Sequence, residues 1–277
     1  MPPHSQAIAE LPAAAAPPEQ RPRLPRGWLG LLLPAAVLLT LETVARAGWI
    51  APNLLPPPTE VLRTLWSLGP QALAGHIMAS SARVATGFAA GAALGIAAGA
   101  AAGLSQRAQQ LLDPSFQALR AIPSLAWVPL LLLWLGIDEA PKLVLIAIGA
   151  FFPVYMGVAA GFRDVDRKLV EVARLYSLSG AALVRRVLLP AALPSVLTGL
   201  RNGLSLSWMF MVAAELIAAT NGLGYLLTDG RETGRADIVF VAIGLLALLG
   251  KLSDTAMAWL EHRLLAWRDS FDAGSLA

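Results

Sequence analysis

The chain of 277 residues has no cysteine, three histidines and only 14% charged residues. Soluble domains carry roughly 25% charge, whereas 56% of this chain is hydrophobic and its mean hydropathy is +0.62. Lipid is therefore its expected solvent. The lack of cysteine excludes a disulfide framework, a thiolate metal site and a thiol nucleophile. His4, His76 and His262 stand far apart, without the spacing of a zinc or di-iron site. The net charge of +3 is not interleaved with aromatics in a solvated stripe, so nucleic acid is not an expected partner.

What is present is long apolar runs. A spanning helix needs about 20 mostly apolar residues, and six segments qualify: Trp28 to Ala47, Val84 to Leu104, Phe116 to Leu135, Leu143 to Ala160, Leu193 to Ala219 and Ile238 to Leu252. The reading is an all-α membrane protein with six transmembrane helices over residues 28–267. Pro123 and Pro129 should kink or break the third span. Residues 1–27 hold seven prolines among alanines and should form a disordered cytoplasmic N-terminus. Ala45-Arg46-Ala47 looks like a signal-peptidase site, but the apolar stretch before it is too long and Glu42 interrupts it.

Orientation follows from Lys and Arg near the spans. With the N-terminus inside, twelve basic residues face the cytoplasm and four, Arg63, Lys142, Arg231 and Arg235, face out. Both termini, including the tail 268–277, are then cytoplasmic. Thr59 is the expected cap of a short outer helix running to Trp66. Glu42 with Arg46, and Lys251 with Asp254, are expected local pairs.

In the second span glycine recurs every fourth residue, at Gly87, Gly91, Gly95, Gly99 and Gly103. This lays a groove along one helix face that admits a close neighbour. Catalytic motifs do not survive inspection. Gly244 to Lys251 has the wrong glycine spacing for a phosphate loop and Leu252 in place of Ser or Thr. Ser177-Leu-Ser-Gly180 has no histidine placed to activate a serine. No cofactor is expected on this chain, and energy for uphill work must come from another one.

Residues 163–190 read RDVDRKLVEVARLYSLSGAALVRRVLLP between the fourth and fifth spans. Asp164 and Asp166 suit a helix start. Val165, Leu169, Val172, Ala173 and Tyr176 form an amphipathic stripe, Ser177 to Gly180 breaks it, and a second short helix follows from Ala181. By pattern alone such a loop docks into a partner's groove or lies on anionic lipid.

The spacing resembles the EAA loop of binding-protein-dependent ABC importer permeases. Glu171-Val172-Ala173 is followed by Ser177, Val187 and Leu189-Pro190 at the matching positions. Val172 departs from the second Ala of that pattern, Val187 from its Ile and Ser177 from its Gly, and Gly180 could supply the freedom lost at Ser177. LPPP at 55–58, LLLLWLGIDE at 130–139, LLPAALPSVLTGLRNGL at 188–204, AAEL at 213–216, NGLGYL at 221–226 and ALLGK at 247–251 extend the resemblance. It is finest toward the aliphatic sulfonate permeases of the nitrate, sulfonate and taurine group.

The resemblance implies a type I ABC importer permease (MetI-like) fold in a bacterial cytoplasmic (inner) membrane. It implies a homodimer with a second copy, an ATP-binding ABC subunit holding ATP and Mg and docked through the loop of Asp164, Glu171 and Ser177, and a periplasmic substrate-binding protein. Ionisable groups inside spans cost at least ~2.5 kcal/mol at the centre, so they face protein or water. Arg201, Ser205, Trp208, Val212 and Glu215 share one face of the fifth span. With Ser124 and Trp127 they are the pathway residues expected to meet a sulfonate, Arg201 through forked hydrogen bonds. Alternatively, Arg201 and Glu215 pair with other helices for structure alone. A taurine or nitrate permease is the nearest alternative function. A membrane-embedded enzyme lacks a visible nucleophile or acid pair, and an assembly protein has no need of the loop.

Overall fold

The computed structural model describes residues 26–267. Their order is α1 (Arg26–Arg46), α2 (Pro58–Ser67), α3 (Pro70–Leu104), α4 (Gln106–Ala121), α5 (Val128–Leu135), α6 (Glu139–Arg163), α7 (Arg167–Leu175), α8 (Gly180–Leu183), α9 (Leu189–Ala218), α10 (Leu223–Glu232) and α11 (Ala236–Leu264). Residues 1–25 of the expected N-terminal segment and the tail 268–277 lie outside the described residues, and α1 already begins at Arg26. Four helices among the described residues are long and apolar enough to cross a bilayer: α3, α6, α11 and the rod Gly180–Ile217 formed by α8 and α9. The bent pair α4 and α5 makes a fifth if it counts as one span. The expected six includes α1.

The third expected span is not one helix. α4 stops at Ala121, Pro123 follows, and a 3₁₀ turn over Ser124–Trp127 leads into α5 at an angle of 88° to α4. Pro129 does not break anything, because it sits in the first turn of α5, where a helix has no use for its missing N–H. Thr59 is not the cap of α2. The Glu42 carboxylate of α1 takes that place, accepting from the Thr59 N–H at 3.1 Å and the Thr59 hydroxyl at 2.9 Å, while also pairing with Arg46.

Helix α6 is the centre of the bundle. Ile146, Ala150, Val154, Val158 and Ala159 are at most 1% exposed, because α3 packs along one side of it and α9 along another. On the α3 side the approach is backbone to backbone. A Cβ placed on Gly87 would stand 2.6 Å from Ile146 Cγ2, on Gly95 2.9 Å from the Phe151 carbonyl, on Gly99 2.8 Å from the Tyr155 carbonyl and on Gly103 2.7 Å from Phe162 Cβ. At Gly91 it would overlap the Ala147 carbonyl outright. Helix α6 repeats the device toward α9, where a Cβ on Gly157 would come within 2.7 Å of the Gly199 Cα.

Candidate functional site

The loop between α6 and α9 begins at Asp164, which closes the end of α6, while Asp166 caps α7 by accepting from the Lys168 N–H at 2.9 Å. The apolar stripe of α7 points mostly outward. Ala173 is buried, but Leu169 and Val172 are about half exposed, and Leu175 and Tyr176 are 85% and 79% exposed. Glu171 is exposed beside them. The end of α7 is closed by the Ser177 N–H donating to the Arg174 carbonyl at 2.9 Å and the Leu178 N–H to the Ala173 carbonyl at 3.0 Å. This closure requires a left-handed residue between them, normally glycine. Ser177 itself takes that conformation, at φ 58°. Gly180 does not relieve it; its own φ of 54° serves the start of α8. A wide π-type turn over Val184–Leu188 then carries α8 into α9, with Leu189 and Pro190 in the first turn of α9.

At the opposite end of the bundle lies a polar cluster that spacing did not reveal. Arg83 on α3 donates to Glu139 at 2.7 and 2.8 Å, to Glu215 at 2.7 Å and to the Asn221 carbonyl at 2.8 Å, with the Asn221 side chain also in contact. Ser80 donates to Glu215 and accepts from the Leu223 N–H at 2.8 Å. The Gly224 N–H donates to Glu215 at 2.7 Å, and Lys142 donates to Glu139 at 2.9 Å. Gly222, at φ 117°, lets the chain turn against the Glu215 carboxylate, which leaves no room for a Cβ there. Glu215 is 1% exposed and Arg83 6%. The cluster locks α3, α6 and the α9–α10 turn together, and its charges balance, two basic against two acidic.

The five residues placed on one face of α9 therefore do not make one open wall. Glu215 is enclosed in the cluster, while Ser205 is exposed and Arg201 is 41% exposed at its side chain. The Arg201 fork is already closed on Asp254 of α11, at 2.6 and 3.0 Å, with Glu261 3.7 Å away. Asp254 thus makes its direct ion pair with Arg201, and Lys251 is within electrostatic reach of it without a direct contact. Trp208 donates its ring N–H to Ser253 at 2.9 Å. Trp127 packs against the cluster of Leu131, Leu145, Phe210 and Ala214, on a part of α9 away from the Arg201 pair, and also lines a cavity of about 520 Å³ with residues of α3, α4 and α6, while Ser124 is half-buried at the start of the same 3₁₀ turn. Nearer the α7 end, Asp113 of α4 bonds Tyr155 and pairs with Arg163 at 3.0 Å. For the cluster around Glu215 the signal was Arg83, an unmatched cation at the edge of the second apolar run.

A bundle of long apolar helices with one outward-facing helical elbow and an enclosed ionic lock defines a membrane-embedded subunit. The chain belongs to the family described as binding-protein-dependent transport system inner membrane component, whose model matches residues 91–266. It is 45% identical over 240 residues to a protein of Escherichia coli K12 that carries the name of an aliphatic sulfonates transport permease, SsuC, covering 86% of this chain and 91% of that one. The Bacillus subtilis protein of the same name is 41% identical over 248 residues, covering 89% and 90%. The taurine transport system permease protein TauC of E. coli K12 is 40% identical over 239 residues, covering 84% and 87%. A chain of the MetNI methionine ABC transporter, solved in inward-facing form, matches with a TM-score of 0.62 at 20% identity, covering 70% of this chain and 97% of that one. The fold is that of a type I ABC importer permease.

Proposed function

We propose that two copies of this chain form the passage of an ABC importer for aliphatic sulfonates, with α7 and α8 as the helices that take up the motion of an ATPase subunit. The observation carrying this reading is the outward face of α7: Leu169, Val172, Leu175 and Tyr176 are exposed beside Glu171. A helix that turns its apolar side away from its own body needs something else to cover it. The relatives named for sulfonates support the substrate class. The excess of Lys and Arg on one side of the spans supports α7 and both termini in the cytoplasm, with α2 and α10 on the side of a periplasmic binding protein.

In this reading the ATPase pair binds ATP and Mg, closes, and pushes the α7–α8 elbow. Because α8 runs into α9 as one rod, displacement at the elbow moves the wall that carries Arg201 and Ser205. The test is Glu171→Ala in the reconstituted complex. It should abolish the stimulation of ATP hydrolysis by loaded binding protein, while α7 stays folded; unchanged stimulation would remove Glu171 from coupling. A taurine or nitrate permease is the alternative, decided by the ligand found on the cognate binding protein.

A further inference from the structure

The face shared by α9 and α11 is polar at a depth where lipid is not. On α11, Asp237 and Trp259 are 22 positions apart in sequence, about 33 Å of helix, close to the thickness of a bilayer's hydrocarbon core. Lys251 stands between them, about 12 Å from the Trp259 level by the same rise. It is the last residue but one of the apolar run Ile238 to Leu252, one turn before Asp254.

Successive residues turn 100° around a helix, which puts Gly244, Ala247, Lys251, Asp254 and Ala258 within about 80° on one side of α11. Leu248, Leu252 and Trp259 occupy a separate side, and each is more than half exposed. That second side is apolar and fits lipid. The first is made of small and charged residues and does not.

On α9, Thr198, Asn202 and Ser205 are exposed next to Arg201. Arg201 meets Asp254 between the two antiparallel helices. Leu246 and Met211 pack against Val84 of α3 on one flank of this seam. Stepping from Arg201 toward Asn202, and from Asp254 toward Lys251, leads to the other flank on both helices. The exposed polar groups thus form one continuous surface. Within it Arg201 is held by Asp254, with Glu261 nearby, while Lys251 is exposed, makes no direct ion pair among the described residues and has Asp254 as its near anionic neighbour.

We infer that this surface is the wall of the passage and that Lys251, flanked by Asn202 and Ser205, is the cation that meets an alkanesulfonate inside the membrane. The inference rests on the substrate reading above and reassigns the anion contact from Arg201 to Lys251. An ammonium carries three donors that rotate freely toward the oxygens of a sulfonate. Unlike a bidentate guanidinium it holds the anion as a point charge, which suits a station that the solute must also leave.

The absence of cysteine makes the test direct, because Lys251→Cys then introduces the single thiol of the permease. In the assembled transporter in proteoliposomes, 2-sulfonatoethyl methanethiosulfonate, an anion carrying an ethanesulfonate group, should modify the thiol of Lys251→Cys on the order of tenfold faster than that of Leu248→Cys. Excess ethanesulfonate should slow that reaction. Equal, slow modification of both variants overturns the inference. In uptake assays Lys251→Met should raise the KM for ethanesulfonate on the order of tenfold, with Lys251→Arg restoring most of it. An unchanged KM in Lys251→Met also overturns the inference. A parent complex that imports no alkanesulfonate instead overturns the substrate reading, and the labelling of Lys251→Cys then still decides whether this surface is the passage.

Discussion

Helix α6 meets α3 through glycine, and α11 meets α9 through long side chains. In the first seam Gly87, Gly91, Gly95, Gly99 and Gly103 bring backbone against Ile146, Ala147, Val154, Val158 and Phe162, and the Arg83–Glu139 pair closes only one end of it. In the second, Arg201 reaches Asp254 and Trp208 reaches Ser253 across a gap that backbone does not fill. Inside a membrane, where lipid is as apolar as leucine, close packing holds helices together by dispersion over many atoms. A seam bridged by a few polar tips leaves one flank accessible. The contrast teaches that α3, α6 and α9 pack as one close body, while the α9–α11 seam keeps a partly exposed polar flank.

The contrast breaks most severely at Gly91. Gly91→Leu should prevent assembly of the permease, read as loss of monodisperse protein on detergent extraction, because the added carbon overlaps the backbone carbonyl of Ala147. Gly75→Leu, on the same helix with nothing within 4 Å, should extract like the parent. Next in size is the ionic lock. Arg83→Met leaves Glu215 enclosed without its cation, a loss on the order of 3–5 kcal/mol that a thermal melt would register. The double change Arg83→Met with Glu215→Met should recover part of it, since removing both charges is less costly than stranding one. A double variant no more stable than Arg83→Met would argue against the lock. The smallest effect belongs to the open seam: Asp254→Asn should leave the melting temperature within about 2 °C of the parent, because the pair it weakens is partly exposed.

Much of the bundle is legible along the chain because helix length, apolar composition and proline are local properties. Glycine at every fourth position announces a close neighbour for α3, although nothing in the spacing says that α6 is that neighbour. The break at Pro123 is legible for the same local reason, while its angle is not. Glu215 and Arg201 illustrate the limit. Equal spacing on one helix suggested one open wall, yet Glu215 is taken by Arg83 and Ser80, 132 and 135 residues earlier, and Arg201 by Asp254 from the next span. The cap of α2 was misassigned to Thr59 because its actual acceptor, Glu42, stands on another helix.

The sequence by itself determined the solvent of this protein, the presence of its long apolar helices, the elbow at residues 163–190 and the family to which these belong, because hydropathy and helical period act between neighbours along the chain. Only the tertiary structure decided which charges are spent on one another and which remain. Partnership across a bundle depends on how each helix is rotated and how deeply it is set, and several rotations satisfy the same one-dimensional pattern. That is why Arg201, the cation that stood out in the sequence, proves to be bound to Asp254, and Lys251, assigned that partner by spacing, stays exposed without a direct ion pair.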